Sequence, residues 1–341
     1  VLETLRPGGA TPPRRRWSRA GGPLLRLGGA LVALLALAAL AAPLLTRLDP
    51  ALQLDPVAGR YLPPGSRRIP LAFADGRRLL AEAVARRGDA VVYERLGEVA
   101  AVPAAAIANL PPRGVPPAVL FPLGTDRFGR DVWSRVAHGA RVSLSIGVLA
   151  ALLAVSLGVL VGAAAAAGGP VADAVLMRCV DAFLAFPRLF LLLAVVALFR
   201  PGAAALVLVL GGTAWMTVSR LVRAEVLALS EREFVLAARA AGQHPLRILV
   251  VHLLPNALAP LLVALGLLVA DVILVESSLS FLGLGVPPPV PSWGEMVASG
   301  ADELTGAWWV ATFPGIAIAL AVLAFNLLAD GLRDALDPRL G

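Results

Sequence analysis

Apolar residues in this sequence fall in long unbroken blocks rather than in the short alternating runs that fill a water-soluble core. The first block covers residues 27–45, about 19 residues or roughly 28 Å of helix, which matches the hydrocarbon thickness of a bilayer. Five more occupy 142–167, 171–199, 203–218, 248–275 and 307–329, each long enough or nearly so to span. The pattern predicts an all-α polytopic membrane protein with six transmembrane helices. Between the first two spans, residues 46–140 are mixed in charge and rich in Pro and Gly, too polar for lipid. They predict an extracytoplasmic insertion. Within it, Asp75 reads as the cap of a short helix carrying Leu79, Leu80, Ala83 and Val84 and stopped by Gly88, and 103–117 reads as an extended connector.

Arginine placement orients the spans. Arg6, Arg14, Arg15, Arg16, Arg19 and Arg26 precede the first block, which fits an uncleaved anchor with its N-terminus inside. The segment between the fourth and fifth blocks holds Arg220, Arg223, Arg232, Arg239 and Arg247, while 277–306 holds Glu295, Asp302 and Glu303 and no arginine. Both counts agree with the bias of basic residues toward the cytoplasm. Arg333 and Arg339 bring the C-terminus back to the same side. The predicted divisions are a cytoplasmic tail (1–26), a first span (27–45), the insertion (46–140) and a five-span body (141–341) with a cytoplasmic loop at 230–255.

Composition removes whole classes of function. With 58% hydrophobic and only 16% charged residues, disorder, collagen-like structure and a disulfide scaffold are excluded; Cys179 has no partner in the chain. The net charge of +7 arises from arginine alone. A nucleotide-binding P-loop needs a lysine, so this chain cannot carry a normal one, and any ATP chemistry would have to come from another chain. The arginines sit at the ends of apolar blocks, as membrane helices place them, and do not predict nucleic-acid binding. His138, His244 and His252 lack metal-site spacing, and no G-x-S-x-G elbow is present. Ser277, Ser278 and Ser280 have no His paired with them in sequence. No catalytic, cofactor or metal site is expected.

Segments that could carry recognition remain. Ser230 with Glu233 forms a capping box, after which Phe234, Ala237, Ala238 and Ala241 repeat on one helical face. Gly242 is a left-handed stop and Pro245 opens a second helix. Small alanines permit close approach, and Glu231, Arg232, Glu233 and Arg239 form a polar rim. A protein partner fits this face, and so does a headgroup layer. Among ionisable residues inside the blocks, Asp173, Arg178 and Asp181 predict a structural cluster, with Arg178 reaching either carboxylate. Asp271 and Glu276 are candidates to line a pathway or face a partner, and Asn326 to bond between helices. Gly124-Thr125-Asp126 reads as a turn and cap. Gly283 and Gly285 permit tight turns, and Trp293, Trp308 and Trp309 read as interface anchors. No internal repeat of the kind built into many secondary transporters is evident.

Ala237-Ala238, Gly242 and Leu254-Pro255 stand at the spacing of the E-A-A-x3-G-x9-I-x-L-P loop by which membrane subunits of ATP-binding-cassette importers dock on their ATPases. Leu236 occupies the glutamate position and His252 the isoleucine position. Pro122–Asp131, Gly139–Leu144, Leu279–Gly285, Pro291–Gly294 and Phe325–Pro338 further resemble permeases of the dipeptide/oligopeptide importers, over 121–341. The resemblance implies a type I importer fold and a non-enzymatic subunit of the bacterial inner membrane. Implied partners are a second permease subunit, two ABC ATPases, an extracytoplasmic solute-binding protein, membrane lipid and a peptide substrate. Glu233, Ala237, Ala238, Arg239, Gly242, Leu254 and Pro255 would form the ATPase-docking loop. Nickel chelates, glutathione or other peptide-like solutes are alternative cargo. An ion-driven carrier using Asp271, or an intramembrane hydrolase, are the rival classes.

Overall fold

The computed structural model describes residues 22–199 and 202–336. Most of the basic tail, with Arg6, Arg14, Arg15, Arg16 and Arg19, lies outside that range, as do Pro338 and Arg339. Helix α1 (Pro23–Leu40) starts with proline at its first turn, where the missing N–H costs nothing. A short α2 (Ala42–Leu45) follows.

The insertion is built of strands, which corrects the helix expected after Asp75. Strands β1 (Ser66–Ala72), β2 (Arg78–Ala81), β3 (Ala83–Arg87), β4 (Ala90–Arg95), β5 (Glu98–Pro103) and β6 (Val119–Phe121) form two three-stranded sheets, ordered β2-β1-β6 and β3-β4-β5. Every pairing is antiparallel. Asp75 sits in the β1–β2 turn, where its Oδ1 accepts from the Arg77 N–H at 3.0 Å. Gly76 and Gly88 take positive φ, and Leu96 and Gly97 both do, as a two-residue type I′ hairpin requires. Leu71, Phe73, Ala81, Val91 and Ile107 bury a small core. The stretch after β5 includes a 3₁₀ turn at Ala104–Ala106 before the connector continues.

Asp55 fastens this subdomain. Its carboxylate accepts from the backbone N–H of Val57, Ala58 and Leu80 and from Arg95 Nε at 2.9 Å and Nη2 at 3.1 Å. Burial pushes its pKa up, but the Arg95 and backbone hydrogen bonds outweigh burial and leave it below the ordinary value.

The helical body then unfolds in order. Helix α3 (Val132–Ala167) is capped by Asp131, whose side chain accepts from the Ser134 N–H; its 36 residues reach about 54 Å, so it begins ahead of the apolar block. Helices α4 (Gly169–Leu184) and α5 (Arg188–Phe199) are bent by 78°. This corrects the continuous span expected at 171–199, because Pro187 disfavours helix at the residue before it and cannot donate within one. Next come α6 (Ala203–Ser230), α7 (Glu233–Ala240), α8 (Pro245–Ile248), a π turn (Leu249–Leu253), α9 (Leu254–Phe281), α10 (Trp293–Ala301) and α11 (Trp309–Leu336).

Glycines set the packing. A Cβ on Gly158 would lie 2.5 Å from Val218 Cβ, one on Gly162 2.4 Å from Ser219 O, and one on Gly211 2.8 Å from Ala150 O. These small-residue contacts bring α3 and α6 together, and their register runs in the same direction along both helices. Parallel α3 and α6 require the chain between them to return, so the bent α4–α5 pair makes that crossing. Among the described residues five helices are long and apolar enough to span, and counting the bent pair as one span makes six. Gly28 against Leu328 and Gly331 against Leu25 pack α1 antiparallel to α11. The insertion and α10 lie at one end of this bundle, α7 and α8 at the other.

Candidate functional site

Two places concentrate the residues singled out by sequence: a knob at the end of the bundle opposite the insertion, and a hollow in its side.

The knob is α7 with its flanking turns. Ser230 is not its cap: it ends α6, and its hydroxyl donates back to Leu227 O at 2.8 Å. Arg232 holds the N-cap position without a side-chain bond. The C-terminus behaves as the sequence predicts. Gly242 has φ +74°, its N–H donates to Arg239 O and that of Gln243 to Ala238 O, which together make a Schellman motif. His244 then caps α8, and Gln243 Oε1 lies 3.0 Å from His252 Nε2, tying the turn to the π segment. That segment ends two residues before Pro255, whose ring cannot follow an ordinary helical turn without crowding the carbonyl four residues back.

Val235 and Ala238 root the knob in a cluster with Val222, Val226, Ile248, Leu249 and Leu253, joining it to α6 and the base of α9. The expected stripe divides accordingly. Ala238 is buried, while Phe234, Ala237 and Ala241 face outward beside Leu236, with Phe234 43% and Leu236 50% exposed. Glu231, Arg232, Glu233 and Arg239 are exposed around them. Leu254 is half-buried, and Pro255 and Gly242 are exposed.

The hollow lies inside the α4–α5 elbow. It has a volume of about 520 Å³ and is walled by Phe183, Phe186, Thr217, Leu221, Leu267 and neighbouring side chains, with Arg188 and Asp271 as its charged pair. Arg188 Nη1 donates to Asp271 Oδ2. Arg188, though a charge inside the apolar block at 171–199, was not among the residues singled out by sequence, and its carboxylate partner comes from α9, 83 positions away, which sequence spacing does not reveal.

Other candidates resolve differently. Asp173 pairs with Arg223 and Asp181 with Arg220, so the cluster joins α4 to α6, and Arg178 is not the partner expected for either. Glu276 is fully buried and accepts from Ser280 Oγ at 2.8 Å, sealed where α10 packs on α9. It does not line the hollow. Asn326 is half-buried on α11, also away from it. Trp293 and Trp309 are buried, donating to Val136 O and Thr125 O at 3.0 and 3.1 Å; only Trp308 of the three is exposed, so two of the expected interface anchors are core. Asp126 organises its turn by accepting from Arg130 and Phe128, and the cap is Asp131. Thr125 accepts from Leu62 N–H and donates to Gly59 O.

At that end of the bundle sequence reasoning missed Arg135. Only 1% exposed, it donates to Glu295 Oε2 at 2.6 Å and Pro50 O at 3.3 Å and lies 3.6 Å from Asp126 Oδ2. One guanidinium thus ties α3, α10 and the loop leaving the first span. Among the described residues no group of His, Cys, Asp and Glu is placed to hold a metal ion.

Comparison with known proteins adds a consistent set of similarities. Residues 154–341 match the family described as binding-protein-dependent transport system inner membrane component. The chain is 49% identical over 225 residues to a Brucella suis protein whose name describes a peptide transport system permease, covering 66% of this chain and 76% of that one. It is 46% identical over 220 residues to the Pseudomonas aeruginosa di/tripeptide transport system permease protein DppC, covering 64% and 73%. A solved chain of the MetNI methionine ABC transporter in an inward-facing conformation aligns at 20% identity with a TM-score of 0.49, covering 59% of this chain and 96% of that one.

Proposed function

Since the chain belongs to the binding-protein-dependent transport system inner membrane components, a family of multi-pass permeases, we propose that it carries peptides inward as half of a two-permease channel driven by separate ATPases. The knob is the surface on which an ATPase seats. What carries this reading is the division of α7: two side chains, Val235 and Ala238, are sunk in the core that includes α6 and the base of α9, and the rest of the helix is offered outward. A helix rooted in that way moves with its spans, so a push on its free face becomes a rigid-body displacement of the bundle. Leu236 at the family's glutamate position is half exposed, so the contact here is apolar packing with Phe234 in place of an ion pair. Glu233, Arg239, Gly242, Leu254 and Pro255 shape and rim that contact.

The knob end is cytoplasmic, which agrees with Arg220, Arg223, Arg232, Arg239 and Arg247 gathering there, and both termini share that side. The insertion then faces outward, where a solute-binding protein delivers cargo. Peptides are the cargo named for the similar permeases; nickel chelates and glutathione are the related solutes to compare. An ion-driven carrier fits less well, because it has no use for a helix rooted by Val235 and Ala238 in the core of the spans with its free face turned outward.

Gly242→Glu tests the assignment. Its φ of +74° strains any residue with a Cβ, and the carboxylate would sit on the docking face. Membrane insertion should be normal and ATP-driven uptake of a dipeptide, measured in vesicles holding the assembled transporter, should disappear. Uptake at the wild-type rate would remove α7 from the coupling route.

A further inference from the structure

The Arg188–Asp271 pair is more than a clasp between helices. Asp271 lies ten residues before the end of α9 at Phe281, roughly 15 Å inside that end of the helix, where an ionised group needs a partner or a polar path. Nη1 of Arg188 has that partner, but its Nε and Nη2 are shielded from solvent and have no acceptor. Leaving such donors unsatisfied is costly. Asp271, by contrast, is 48% exposed and Arg188 30%, so the pair fronts the hollow instead of being sealed by it. Those donors are covered in this conformation; a turn of the Arg188 side chain toward the hollow presents them as the fork that a carboxylate fills with two parallel hydrogen bonds, and the exposed carboxylate beside it suits an ammonium group.

We propose that this pair is a way-station for the charged ends of a peptide in transit: the peptide's terminal carboxylate takes the free Nε and Nη2 donors of Arg188, and an ammonium group of the same peptide meets Asp271. The apolar wall of Phe183, Phe186, Leu221 and Leu267 accepts side chains of any sequence. The two charges recognise the zwitterion and leave the side chains unread. This inference rests on the peptide-import reading above.

The test uses the assembled transporter in vesicles with trialanine and, beside it, trialanine amide, which lacks the terminal carboxylate. A thiol reporter in the hollow, Thr217→Cys in a Cys179→Ser background, reads occupancy of this chain independently of the binding protein. Trialanine should slow labelling of the reporter by a charged thiol reagent, and trialanine amide should protect about tenfold less well or worse. Arg188→Gln should abolish the difference between the two peptides. The exchanged pair, Arg188→Asp with Asp271→Arg, keeps an ion pair and so restores folding and ATPase attachment, yet should not restore carboxylate-dependent protection. Equal protection by both peptides, or full recovery in the exchanged pair, would reduce the residues to a structural clasp. Absence of ATP-driven trialanine uptake by the wild-type transporter would instead overturn the peptide reading itself.

Discussion

Single residues at the insertion-side end of the bundle carry large consequences, because that end is closed by buried charges. Arg135 is the common partner of Glu295 and Asp126. Arg135→Met leaves Glu295 without a counter-charge in a packed setting, and thermal unfolding in detergent should report a loss of about 3–5 kcal/mol. Asp131 makes a subtler prediction. Burial pushes its carboxyl up to about 6, against the hydrogen bonds from the Ser134 and Trp133 N–H groups. The folded state therefore holds this proton more tightly than the unfolded one. The stability it contributes is fully present below the ordinary value of 3.8 and is lost as pH rises through about 6. Asp131→Asn keeps the capping acceptor and removes the charge, so the variant should be the more stable above that pH by about 1–3 kcal/mol, with the gain vanishing in acid. A variant equally or less stable at neutral pH would show that the carboxylate is better solvated than its burial implies.

Among elements, α7 and the α4–α5 elbow matter most. Phe234→Asp alters an exposed side chain and should leave folding unchanged while lowering ATPase co-purification with the permease by at least about tenfold; unchanged recovery would favour a helix lying on lipid headgroups. How far each element was legible depends on how local its cause is. Gly242 and Pro245 punctuate the knob through backbone geometry alone, and both act as their residue types predict. Ser230 deceives because α6 continues three turns beyond its apolar block, carrying the serine into the helix. The strands of the insertion were misread since Leu79, Leu80, Ala83 and Val84 satisfy helical spacing over a window too short to discriminate; Asp75-Gly76 was the better signal, a hairpin dipeptide. Pro187 carried a local signal for the elbow that the continuous span expected at 171–199 passed over. The elbow's angle and the hollow it encloses depend on α6 and α9, which no local pattern encodes. The same holds for Asp173 and Asp181, whose arginines lie on another helix.

At the scale of the whole molecule, the strands of the insertion have a core of their own, and Asp55 ties them to the turn at Val57 and Ala58, while Tyr61 and Leu123 pack on the helical body beside Trp309. Gly65 N–H donates to Phe121 O at 2.9 Å, so the two ends of the insertion already meet. Replacing 66–120 by a short Gly/Ser linker, with Asp55→Asn to avoid stranding its carboxylate, should preserve membrane insertion and ATPase co-purification; loss of both would mean that the sheets help fold the body. Between the two ends runs one stretch of helix, Pro245–Phe281, 37 residues long. From Pro245 to Asp271 it measures roughly 39 Å, and it is pinned at its foot by the cluster that also holds Val235 and Ala238. A lever of that length magnifies whatever happens at its fulcrum: tipping by about 5° swings the aspartate through roughly 3 Å, farther than its grip on Arg188 can stretch. A small nudge below would be enough to let go of a passenger above.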